Sequence, residues 1–196
     1  DNNFNNFNPS KFTLSNIIFL SNIMKSKGII QFLDASEILL KENKSIKVFI
    51  AGGFLKDEFC SKKRIKYLFN KKYNKLRKLY KNRIKYYGVV EGVYKIELLL
   101  KSSIFVLPTF YRTEAFPISI IEAMKTGNAI VTTNHNYLNN IIDNKNGSII
   151  KKKSVEDIVE SISKLIDSPI NLKKKQLHNI NTAEKLYDYK IYIKNL

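Results

Sequence analysis

Residues 104–132 read IFVLPTFYRTEAFPISIIEAMKTGNAIVT. Ile104–Leu107 is a short apolar run of β type, and Pro108 stops it because it has no N–H to give to a central ladder. A polar loop follows. Pro117 suits the first turn of a helix, where its missing N–H costs nothing, so a helix is expected over residues 117–126. Gly127 stands where a glycine closes a helix. Residues 129–132 (AIVT) form a second apolar run. Strand, helix and strand in this order describe a crossover unit of a parallel sheet.

The same alternation continues in both directions. Asn16–Leu20 (NIIFL), Lys47–Ala51 (KVFIA), residues 84–87 and Gly147–Ile150 are further strand candidates. Residues 28–41 place Ile29, Phe32, Leu33, Ala35, Leu39 and Leu40 on one helical stripe. Helices are expected over 56–81, with a break near Asn70, and over 94–101 and 137–143. Another starts at Ser154, with Asp157 three residues on in a capping-box-like arrangement, and runs to Asp167. Pro169 opens a last helical region that reaches the C-terminus. Six strand–helix repeats with right-handed crossovers give an α/β fold, a doubly wound six-stranded parallel sheet that is Rossmann-like. Ligands of such sheets sit at the carboxyl ends of the strands, near the switch point. Residues 1–15 are Asn-rich, contain Pro9 and show no period, so they read as a linker or disordered N-terminal segment. Residues 16–196 form the domain.

The 196 residues carry 34 Lys+Arg against 17 Asp+Glu, a net charge of +17. One cysteine, Cys60, excludes an internal disulfide and a Cys-rich zinc site. No apolar run reaches the roughly 20 residues that span a bilayer, and a cytoplasmic setting fits. The first residue is Asp1 rather than Met, so an excised piece of a longer protein is one expectation. The positive charge is densest at Lys62, Lys63, Arg64, Lys71, Lys72, Lys75, Arg77, Lys78, Lys81 and Arg83, with Tyr67, Phe69, Tyr73 and Tyr80 interleaved. That stretch reads either as a solvated helix face or as a surface for acidic lipid head groups or another polyanion. Ala51, Gly52 and Gly53 do not make the G-x-G-x-x-G dinucleotide pattern.

Glu114 lies in the loop after the fourth strand, and Glu122 lies in the helix that opens at Pro117. The amides of Ile118 and Ser119, in the first turn of that helix, are placed to hold a phosphate. A carboxylate beside such a site suits paired sugar hydroxyls, because it accepts two hydrogen bonds. His135 and His178 read as structural loop and helix histidines.

Glu114 and Glu122, with seven residues between them, resemble the E-x7-E motif of retaining GT-B glycosyltransferases, glycosyltransferase family 4 (glycosyl transferases group 1). The family pattern P-S-x-x-E-G-F-P-x-x-x-x-E-A-M-A-x-G is matched by Pro108-Thr109, Glu114-Ala115-Phe116-Pro117, Glu122-Ala123-Met124 and Gly127. Residues 19–28 (FLSNIMKSKG) resemble F-V-G-R-L-x-x-x-K-G. Ala51-Gly52-Gly53 and Gly88-Val89-Val90 are similar to the turns after the family's second and third strands. The resemblance covers residues 16–195.

It implies the donor-binding half of a GT-B enzyme. Lys27 would neutralise the donor diphosphate, and Glu114 would face the transferred sugar. Glu122 would bind the ribose hydroxyls. Amides around Phe116, Pro117, Ile118 and Ser119 would hold sugar hydroxyls and the distal phosphate. Gly52 belongs to the donor site, and Val90 with Gly92 would meet the base. Asn22 stands where the family has an arginine, which leaves Arg112 or Lys25 to supply that cation, and Ala115 replaces a glycine. No metal and no cofactor is required in the family, and no Asp-x-Asp occurs in this chain. The donor implied is a nucleotide diphosphate-sugar, UDP- or GDP-linked. The saccharide or lipid-linked acceptor would be held by an N-terminal domain absent from this chain, so the chain alone is expected to be inactive. Peripheral contact with the inner face of an anionic membrane is a further expectation, and no specific nucleic-acid partner is implied. Lys27→Ala and Glu122→Ala are expected to abolish nucleotide binding and leave the fold intact. The alternative is a basic polyanion-binding α/β module without catalysis.

Overall fold

The strands are short and apolar on both sides because both faces of the sheet are covered. β1 (Asn16–Leu20), β4 (Ile104–Leu107) and β5 (Ala129–Thr133) are buried at every residue. β2 (Lys47–Ala51), β3 (Ile84–Tyr86) and β6 (Gly147–Ile150) complete the sheet. These assignments come from a computed structural model that describes residues 15–114 and 117–187. Within them all five pairings are parallel, and the strand order is β3-β2-β1-β4-β5-β6. The order reverses between β1 and β4, so the switch point lies between the loops that leave those two strands.

The crossovers are α1 (Ile29–Glu42), α2 (Lys62–Tyr80), α3 (Gly92–Leu100), α4 (Ile118–Lys125) and a 3-10 turn at Asn136–Asn140; α5 (Val155–Asp167) and α6 (Pro169–Tyr187) follow β6. α1 packs on α2 and α5, and α4 packs on α3 and α6, which covers the two faces of the sheet. The stripe read from residues 28–41 is the buried face of α1: Ile29, Phe32, Leu33, Ala35, Leu39 and Leu40 are all within 1% of full burial. Each of the Ile, Leu and Phe side chains among them contributes about 1.5–3 kcal/mol when removed from water.

The helix ends follow the capping residues. Ser154 accepts from the Asp157 amide at 3.1 Å and its hydroxyl donates to the Asp157 carboxylate at 2.9 Å. Gly127 lies beyond the end of α4 with φ +67°, and its amide donates to the Met124 carbonyl.

α2 departs from the expected span. It starts at Lys62 rather than at residue 56 and runs unbroken past Asn70. The Ser61 hydroxyl caps it by accepting from the Arg64 amide, and residues 57–60 form a turn around Asp57 instead. Its inner face is Ile65, Phe69 and Leu76, with Phe69 packed against Phe54, Tyr73 and Tyr86. Its outer face is solvated, and Lys72 and Lys75 reach Asp34 and Glu37 on α1. The helix expected over 137–143 is the 3-10 turn, and α3 begins at Gly92, two residues earlier than expected. The segment expected as a linker, apart from Ser15, and the stretch after Tyr187 over which the last helix was expected to continue lie outside the described residues.

Candidate functional site

Two loops meet at the switch point. After β1 the chain passes Ser21 and Asn22, makes a 3-10 turn at Lys25–Lys27 and enters α1 through Gly28. Gly28 has φ +77°, and a Cβ there would stand 2.3 Å from the Pro108 carbonyl oxygen. Only glycine allows the loop after β4 to lie this close. The Phe110 amide donates to the Ser26 carbonyl at 2.7 Å, and the Ser26 amide donates to the Asp57 carboxylate at 2.6 Å. The basic turn is thereby held from both sides.

Lys27 and Glu114 are brought together by this packing. The Lys27 Nζ donates to Glu114 Oε2 at 2.5 Å, with side chains 10% and 6% exposed. The Thr109 hydroxyl donates to the same oxygen at 2.8 Å, and the Lys27 ammonium lies 5.0 Å from the centre of the Tyr111 ring. The loop carrying Glu114 is fastened at its back. Asn136 donates to the carbonyls of Arg112 and Glu114, His135 Nε2 lies 2.7 Å from the Tyr111 carbonyl oxygen, and the Thr133 hydroxyl donates to the Thr109 carbonyl. The Glu114 charge is thus met, on Oε2, by one cation and one hydroxyl donor.

Glu122 lies on α4 and pairs with Lys95 of α3. Pro117 is the residue before α4, and Ile118 and Ser119 lie in its first turn, whose N–H groups have no intrahelical acceptor. Phe116 and its neighbour Ala115 lie outside the described residues. The Arg112 side chain is exposed and makes no ion pair among the described residues.

Beside the charged cluster, over the ends of β1, β2 and β3, is an open cavity of about 700 Å³. Asn22, Gly52 and Val90 line it, with Gly53, Phe54, Lys62, Lys66 and Tyr86. Gly52 has φ +143°, and a Cβ there would come within 1.9 Å of the Ser21 carbonyl oxygen. The Tyr86 hydroxyl donates to the Gly52 carbonyl at 2.7 Å, and burial raises the pKa of that phenol above its ordinary value. Gly92 sits at the start of α3 and does not line the cavity. Lys27, Glu114 and Glu122 lie outside it as well, so the candidate site is an open cavity and an adjoining charged cluster.

Thr109, Asp57, Lys95 and Tyr86 were not legible as site residues in the sequence. Thr109 and Asp57 act through hydrogen bonds to residues 5 and 31 positions away. The sequence signal closest to one of them was the Pro108-Thr109 pair at the end of β4.

Among the described residues no three His, Cys, Asp or Glu side chains gather as a metal site, and no helix is long and apolar enough to cross a membrane. The strand order and the meeting of a cationic and a carboxylate loop at its switch point define a doubly wound, Rossmann-like α/β domain of the kind that forms half of a GT-B fold. The chain belongs to the family of glycosyl transferases group 1, whose pattern matches residues 3–186.

Solved structures share the fold. Anabaena HepE in complex with UDP and glucose has a TM-score of 0.79 at 16% identity, covering 100% of this chain and 53% of that one. The C-terminal domain of LpcC, a glycosyl transferase group 1 family protein from Francisella tularensis, has a TM-score of 0.74 at 20% identity, covering 89% and 86%. S. aureus TarM has a TM-score of 0.71 at 17% identity, covering 93% and 34%. The chain thus spans about a third of TarM and about half of HepE. Among curated proteins none matches the chain in sequence.

Proposed function

We propose that this chain is the donor-binding half of a retaining, metal-independent glycosyltransferase that moves a hexosyl group from a UDP- or GDP-linked sugar to a saccharide or lipid-linked acceptor. The observation that carries the reading is the buried Lys27–Glu114 pair at the switch point, beside a cavity lined by Asn22, Gly52 and Val90. Membership of the glycosyl transferases group 1 family supports it, as does the binding of UDP and glucose by HepE, a protein of the same fold.

In this reading the base lies in the cavity against the main chain at Val90, and Glu122 accepts from ribose hydroxyls. The diphosphate lies near Lys27 and the first-turn amides of α4 at Ile118 and Ser119. As the bond between the anomeric carbon and the phosphate oxygen breaks, negative charge grows on the diphosphate. Lys27 and the helix N-terminus stabilise it there. Glu114 holds sugar hydroxyls and stabilises the positive charge that grows on the ring. Arg112, exposed and two residues before Glu114, supplies the second cation that Asn22 cannot. The acceptor is held by a second, N-terminal domain, because proximity of two bound substrates is the main catalytic device. This chain alone therefore binds donor and transfers little. The full enzyme works in the cytoplasm, against the inner face of the cell membrane.

The test is thermal unfolding with UDP, GDP and ADP, each with and without sugar. A nucleotide at about ten times its dissociation constant adds roughly 1.4 kcal/mol, or about 3–6 °C for a domain of this size. A rise with UDP or GDP supports the reading, and no rise with any nucleotide counts against it. The exposed lysines of α2 favour a second reading, a polyanion-binding module, which requires binding to nucleic acid or acidic vesicles that falls steeply with salt.

A further inference from the structure

Glu122 does not stand alone. Its Oε1 is engaged by the Lys95 ammonium, the one ionic partner it has among the described residues. We infer that Lys95 is a positioning residue for nucleotide recognition: it fixes Glu122 through Oε1 and leaves Oε2 free to accept from a ribose hydroxyl. The inference rests on the donor-site reading above and goes beyond it by assigning a role to a residue on a different helix.

Three observations carry it. The first is placement. Lys95 lies near the start of α3, five residues after Val90, which lines the cavity, whereas Glu122 lies on α4, eight residues after Glu114. The pair therefore links the cavity side of the site to the carboxylate side. The second is exposure. The Lys95 and Glu122 side chains are 26% and 20% exposed, so the pair is sheltered enough to hold one geometry and open enough for a hydroxyl to reach the second oxygen. The third is charge. A nucleoside diphosphate is anionic, and two bare carboxylates at its site would repel it. Glu114 has Lys27 as its own cation, and Glu122 has Lys95. With both charges balanced, Glu122 recognises a hydroxyl without opposing the phosphates.

The experiment compares UDP with its 2′,3′-dideoxy analogue by calorimetry on the parent chain, Lys95→Met, Lys95→Arg, Glu122→Gln and the Lys95→Met/Glu122→Gln double variant. The parent prefers UDP. Lys95→Met is expected to lose about tenfold in UDP affinity and to show the reduced preference of Glu122→Gln. The double variant is expected to bind no more weakly than Glu122→Gln alone, because both changes remove one device. Lys95→Arg restores the preference. Unfolding midpoints without ligand separate these effects from a loss of fold.

An unchanged preference in Lys95→Met overturns the inference. So does an equal loss toward both ligands, which would put Lys95 on the phosphates, and so does tighter binding, which would make the pair a latch that competes with the nucleotide. In each of these cases the donor-site reading survives, since the parent still binds. If the parent binds UDP, or GDP in its place, no better than the dideoxy analogue, this inference fails; if it binds none of UDP, GDP and ADP, the donor-site reading fails as well.

Discussion

Lys27 and Glu114 are 87 residues apart in the chain, and their side chains meet at 2.5 Å in a buried ion pair across the switch point. The meeting joins the loop that leaves β1 to the loop that leaves β4, the two central strands of the sheet. It also alters the consequence of changing either residue. Each is the compensation for the other's burial, so Lys27 is part of the fold as well as of the candidate site.

Lys27→Met is accordingly expected to destabilise the domain by about 3–5 kcal/mol, because Glu114 is left charged, buried and without its cation. This runs against the expectation from the sequence that a change at Lys27 leaves the fold intact. The double variant Lys27→Met/Glu114→Gln should recover part of the loss. Urea denaturation of both measures it, and equal midpoints for Lys27→Met and the parent would refute the pairing.

Gly28→Ala should weaken the fold and displace the basic turn. The left-handed backbone alone costs about 1–3 kcal/mol with a side chain in place. The added methyl would also stand 2.3 Å from the Pro108 carbonyl oxygen, which neither chain segment can avoid without moving. A fall in the denaturation midpoint together with weaker nucleotide binding is the expected result.

Asp57→Ala removes the acceptor of the Ser26 amide, a charge-assisted bond of 2.6 Å that holds the turn preceding Gly28. Such bonds contribute about 1.5–3 kcal/mol. The variant should lose stability in that range and bind nucleotide more weakly, although the Asp57 carboxylate accepts from the backbone amides of Ser26 and Phe59 alone among the described residues. Unaltered binding would mean that the turn keeps its shape without Asp57.

Tyr86 sets a pH dependence on the alkaline side. Burial raises the pKa of its phenol above the ordinary 10.0, so the folded protein holds this proton after the unfolded chain has released it. Its contribution is fully present below pH 10 and is lost as pH rises through the raised value. Tyr87 is shifted in the same direction, first by burial and then by its neighbouring tyrosines. Tyr86→Phe should make the decline in stability above pH 10 shallower, with the Tyr87 part retained. At neutral pH it should cost about 1 kcal/mol through the lost bond to the Gly52 carbonyl. Denaturation midpoints between pH 7 and pH 11 test both statements.

The sheet, its parallel sense and most helix ends were determined by the sequence alone. Apolar runs of four or five residues ended by Pro108 or Gly52, the stripe from Ile29 to Leu40 and the cap at Ser154 are local signals, and local sterics and burial are enough to read them. The start of α2 at Lys62 rather than at residue 56 is also local in origin, because the Ser61 cap and the turn around Asp57 end the helical period there. The partners within the site were decided by tertiary structure only. Periodicity along the chain does not say which of Lys25, Lys27 and Arg112 meets Glu114, nor that Lys95 meets Glu122. Those meetings follow from the strand order, which sets the β1 and β4 loops side by side, and from α3 packing against α4. Ion pairs and hydrogen bonds act over a few ångströms, so only folding brings their partners within range.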